Sequence, residues 1–107
     1  MELLDVQQEI MNKIRAIDKG MDLLVPYAEK KCKKIAEYDK VLAERILSIK
    51  KDNPVTVCKE LAKGECSDER EVMEVSVDAY KILNKKLDLI TEQLGALRTV
   101  NKYLSEV

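Results

Sequence analysis

The chain has 107 residues, of which 46% are hydrophobic and 36% charged, with 19 basic side chains against 20 acidic ones. That is one domain's worth of protein, and the near-zero net charge excludes one that coats nucleic acid by bulk charge. The lack of His, Trp and Phe removes the commonest general base and leaves four Tyr as the only aromatics, while charges interrupt every apolar run well short of the roughly 20 residues a membrane span needs.

The spacing of Leu3, Ile10, Ile14 and Ile17 predicts a first helix from about Glu2 to Lys19, with Gln7 as a polar interruption. Gly20 signals an end and Asp22 can cap a new helix, so that Pro26 falls near the first turn of that second helix. The apolar register nevertheless continues through Met21, Leu24, Ala28, Cys32 and Ile35. Residues 1–51 therefore form either two helices or one helix kinked at Pro26. Ile35, Leu42, Ile46 and Ile49, helped by Tyr38 and Val41, carry the core face toward Lys51. Acids come after Met1 where a signal peptide would be basic, so we expect a cytoplasmic protein.

Asp52, Asn53 and Pro54 predict a stop, and residues 52–67 a tip. Within the tip, Thr56 can cap a short helix from Val57 to Lys63, which Gly64 ends. Ser67 or Asp68 then caps a long helix over residues 68–106, and Asp68 with Glu71 has capping-box spacing. Its stripe, Leu83, Leu87, Ile90, Leu94, Leu97 and Leu104, steps by threes and fours and needs a partner helix. The expected fold is all-α: a long antiparallel helical hairpin, coiled-coil-like, with a short helix at its tip and an N-terminal helical extension. Folding about that tip sets Ile49 near Val72, Ile35 near Lys86 and Leu87, and the N-terminal helix alongside Gly95 to Val107.

Chemistry-bearing clusters are few. Lys30, Lys31, Lys33 and Lys34, joined by Lys40, and Lys81, Lys85 and Lys86 make a candidate basic patch that suits a phosphate backbone, or else a solvated face whose charges pair locally. Glu65, Asp68, Glu69, Glu71, Glu74 and Asp78 surround Arg70, and helix capping accounts for several of them. Asn101 and Gln7 stand at stripe positions, where a polar residue can fix register or mark a frayed end. Leu94, Leu97, Asn101 and Leu104 form a candidate oligomer or partner face. Gly95 and Ala96 fall inside the last helix, where a glycine is kept by a close neighbour or merely tolerated.

Cys32 lies on the apolar stripe, and Cys32, Cys58 and Cys66 lack the spacing of a metal or redox motif. No catalytic, cofactor or metal site is expected, and no Gly-rich phosphate loop is present.

From Tyr27 onward the layout resembles small helical proteins encoded by phages and prophages of low-GC Gram-positive bacteria. The shared elements are Tyr27-Ala28-Glu29-Lys30-Lys31 before a charged helix, Pro54-Val55-Thr56, Leu61-Ala62-Lys63-Gly64, and a long helix with Ala79-Tyr80-Lys81 and a leucine-rich end. Pro26 and the break near Gly20 depart from that layout. The resemblance implies an early phage product lying near recombination and replication functions, and it carries over no functional residues. Together these readings predict a non-enzymatic interaction module that self-associates, with a dimer favoured, and binds a protein partner. The alternatives are a nucleic-acid-binding accessory to recombination or replication, and an inhibitor of a host defence enzyme of the anti-restriction or anti-CRISPR kind.

Overall fold

The computed structural model describes residues 2–50 and 54–106, which contain helices and no strand. Three helices succeed one another: α1 Leu3–Ile49, α2 Val55–Glu65 and α3 Ser67–Ser105. The chain divides into two compact units that share the long helices. Unit 1 joins α1 as far as Pro26 to α3 from Lys81 onward, and unit 2 spans Tyr27 to Tyr80.

In unit 2 the long helices run antiparallel. Tyr27 and Lys30 share a groove with Ser76 and Ala79, whereas Tyr38 and Val41 share one with Asp68 and Glu69. In unit 1, Gly20 of α1 faces Leu87 of α3. The architecture is the expected all-α helical hairpin.

Its register differs from the expected one. Gly20, not Ile35, meets Leu87, and Val72 shares its groove with Tyr38 and Val41, not Ile49. The cause lies in α2, which belongs to the returning arm. Only Cys66 separates it from α3, and helical hydrogen bonds cross that break: the Cys66 N–H donates to the Ala62 carbonyl (2.9 Å) and the Arg70 N–H to the Cys66 carbonyl (3.0 Å). The return thus begins at Val55 instead of Asp68, and the stretch expected as an N-terminal extension packs in unit 1 against the second half of α3.

Three terminus signals also read differently. α1 passes without a break through Gly20 and Pro26. Gly20 is a packing position, because the space its side chain would fill is taken by Leu87. Pro26 removes one donor, at a typical cost of about 3 kcal/mol, and it stands on the exposed side, where water can reach the carbonyl left behind. α2 starts at Val55 with extended Pro54 before it and no side-chain cap, so Thr56 lies inside the helix and Gly64 does not end it. Asp68 likewise sits within the first turn of α3, where its charge suits the helix dipole. Lys51, Asp52 and Asn53, which carry most of the expected stop, lie outside the described residues.

The core is a two-helix seam with little depth. On α3 it comprises Met73, Ser76, Tyr80, Leu83, Leu87, Ile90, Leu94, Leu97, Asn101 and Leu104, every one buried or half-buried. Steps alternating between three and four keep these residues on one face. On α1 the buried positions are Val6, Gly20 and Tyr38, whereas Met21 and Cys32 of the expected stripe are exposed. The expected series advances by fours at Ala28 and Cys32, which carries it off the seam. The buried residues of α2 are small, Cys58 and Ala62 one turn apart, and Cys66 is buried one turn further on at the junction with α3. Arg45 of α1 reaches Glu65 of α2 at 3.1 Å, a half-exposed pair worth about 0–1 kcal/mol.

Candidate partner-binding face

The lysines separate between the units. Lys30, Lys31, Lys33 and Lys34 lie on α1 in unit 2, and Lys81, Lys85 and Lys86 lie on α3 in unit 1. Much of the α1 group is engaged locally. The Lys31 ammonium stands 4.7 Å from the centre of the Tyr80 ring, a cation–π distance. Lys34 Nζ donates to Glu37 Oε2 at 3.1 Å, and Lys30 borders a groove together with Glu71. Lys33, Lys81, Lys85 and Lys86 are exposed. In the acidic region Arg70 Nε donates to Glu74 Oε1 at 3.0 Å. Among the described residues, no three His, Cys, Asp or Glu side chains gather closely enough to hold a metal ion, and no helix is long and apolar enough to cross a membrane.

Leu94, Leu97, Asn101 and Leu104 point inward within unit 1. Leu94 is only 6% exposed and the other three are half-buried. These side chains hold α3 on the first half of α1. Gln7 is exposed, so it does not share the seam with Asn101. The Asn101 Oδ1 atom is buried and has no hydrogen-bond partner. An unsatisfied buried acceptor costs about 1–3 kcal/mol. Asn101→Leu, which keeps the branched shape and the number of side-chain heavy atoms, is therefore expected to stabilise the chain by about 1 kcal/mol, raising Tm by roughly 4–8 °C. Thermal melting followed by circular dichroism checks this, and an unchanged or lower Tm would mean that the amide has a partner in solution.

A second apolar series runs along α3, beside the seam and turned outward. Val75, Ile82, Leu89, Ala96 and Tyr103 recur every seventh residue, with Val72, Ala79 and Val100 alongside. Val75 is 63% exposed, Ile82 and Leu89 are 54% exposed, and Tyr103 is 71% exposed. In unit 1 the series comprises Ile82, Leu89, Ala96, Val100 and Tyr103, and Leu23 of α1 is exposed as well. In unit 2, Val72, Val75 and Ala79 join Tyr27 of α1 around a groove of about 350 Å³, with Lys30 and Glu71 at its edge. A helix with one neighbour needs one apolar stripe, and a second stripe beside it gives α3 the width to serve two neighbours. Sequence reasoning passed over this series because the stronger leucine stripe lies next to it. The signal that finds it is the unbroken seven-residue spacing from Val75 to Tyr103.

The chain matches no family model, no curated protein and no solved structure.

Proposed function

We propose that this chain is a non-enzymatic helical interaction module that binds proteins through the outer face of α3. The observation that carries this reading is the exposed repeat from Val75 to Tyr103. Full burial of a large apolar side chain contributes about 1.5–3 kcal/mol, so a partner covering several of them gains enough to bind. Unit 2 has an apolar groove of its own beside Tyr27. Local engagement of Lys31 and Lys34 supports a protein partner over a phosphate backbone. A cytoplasmic setting fits the charge-rich helices, and the phage or prophage origin rests on the sequence resemblance alone. An inhibitor of a host defence enzyme would be one form of the same module.

The test places a photo-activated cross-linking residue at Leu89 in cells. Protein adducts are expected, and their yield should fall when Ile82 is also replaced by Glu. Adducts to nucleic acid, or a yield insensitive to Ile82→Glu, would overturn the reading and return attention to the lysines.

A further inference from the structure

We propose that the groove between α1 and α3 in unit 2 takes a basic amphipathic helix of a partner protein. This rests on the reading of the chain as an interaction module and names the chemistry of the partner.

The form of the groove is the first argument. It has two stretches, of about 350 and 430 Å³, that meet at Val72 of α3. On α1, Tyr27, Lys30, Lys34, Glu37 and Val41 border it in steps of three and four, so both stretches lie on one side of the seam. From Tyr27 to Val41 is four turns, about 21 Å of helix. On α3, Val72, Val75 and Ala79 follow at the same steps. Two walls of helical period suit a third helix with apolar side chains at i, i+3 or i+4, and i+7. An extended peptide would need a sheet edge to pair with, and the described residues contain no strand.

Charge is the second argument, and it selects among helices. The α3 side of the groove carries Asp68, Glu69 and Glu71, all exposed. None of the three forms an ion pair among the described residues. Across the groove Lys34 is held by Glu37 at 3.1 Å, which leaves Lys30 alone to offset three acids. The lining is thus net negative on a chain whose overall charge is only −1. A helix with Lys or Arg flanking its apolar ridge neutralises these carboxylates as it covers the valines, whereas an acidic helix is repelled. The same charge disfavours a phosphate backbone in this groove.

The probe is a fluorescein-labelled synthetic helix of about 18 residues, long enough to span the groove, with leucine along one ridge and lysine on both flanks. It is titrated with the full chain, and its fluorescence anisotropy is followed. Saturable binding is expected, and the same peptide with glutamate in place of lysine should bind at least about tenfold more weakly. Asp68→Asn, Glu69→Gln and Glu71→Gln together should weaken binding of the lysine peptide by about tenfold. Val75→Gln should weaken it by about fivefold through lost apolar contact. Val75 is 63% exposed and glutamine is the better helix former, so the helical circular dichroism signal should be unchanged. Leu89→Glu lies in unit 1, outside the groove, and should bind as the wild type does. Absence of saturable binding, equal affinity for the two peptides, or a loss with Leu89→Glu as large as that with Val75→Gln would each overturn the proposal. If no peptide binds while cross-links at Leu89 still capture another protein, the groove proposal fails and the interaction module stands.

Discussion

Leu94→Asp is expected to abolish the fold of unit 1. Leu94 is 6% exposed and sits in the middle of the α3 seam. Removing a buried leucine side chain typically costs about 2–5 kcal/mol. Aspartate adds the cost of holding a carboxylate away from water in a position lined for leucine. The sum approaches the whole stability of a small domain, about 5–15 kcal/mol. This seam is thin, because most of its members are only half-buried. The far-UV circular dichroism signal at 25 °C should fall markedly and cooperative melting should be lost. The contrast with Leu89 is the decisive part. Leu89→Asp, five residues earlier on the outward face, should keep the helical signal. Equal loss at both positions would mean that α3 has no distinct inner and outer faces.

Gly20→Val is expected to destabilise the chain by about 2–3 kcal/mol, although valine is the better helix former. A Cβ at position 20 collides with Leu87 Cδ2 and lies 3.1 Å from Leu87 Cγ. Leu87 is itself 8% exposed, so it cannot swing into solvent. Overpacking therefore outweighs the gain in helix propensity. Leu87→Ala alone should cost about 2–5 kcal/mol by leaving a void, and part of that loss should be recovered when Gly20→Val is added. Chemical denaturation of the four chains gives a coupling term, which neighbours of this kind usually place at about 0.5–3 kcal/mol. A coupling near zero would show that the two helices separate at this level in solution.

The legible parts of the fold were those where one signal acted alone. Leu83, Leu87, Ile90, Leu94, Leu97 and Leu104 announce a seam because nothing else explains leucines at those steps, and the structure turns them inward. Gly20, Thr56 and Gly64 misled because local terminus signals are weak beside packing. Gly20 is kept by a neighbour distant in sequence, and no local pattern reveals a neighbour. The hairpin register came from those misread signals. With α2 taken as a tip, the return was set at Asp68, and the pairings expected for Ile49 and Ile35 slid along α1, whereas the N-terminal stretch does lie with the second half of α3. Cys66, the residue at which the returning arm breaks, carries no turn propensity to mark it. Among the candidate functional residues, the lysines were read from clustering, but clustering alone does not show that Lys31 lies over Tyr80. The outward repeat of α3 was present in the spacing and hidden by the stronger stripe beside it.

The division of the long helices between two units has a bearing on synthesis. Unit 2 is one uninterrupted stretch of chain, from Tyr27 to Tyr80, and has all its parts once Tyr80 is clear of the ribosome. Unit 1 takes its halves from opposite ends of the chain. Val6, which is wholly buried at the finish, has no α3 partner until residues 81–106 emerge. At roughly 5–20 residues per second, that wait lasts about one to five seconds. Unit 2 can thus close while unit 1 still waits, and the segment around Val6 is the last to be covered. A message cut short after the codon for Tyr80 would yield a chain whose leading helix segment, with Leu3, Val6, Ile10 and Ile17, stays open to chaperones and proteases.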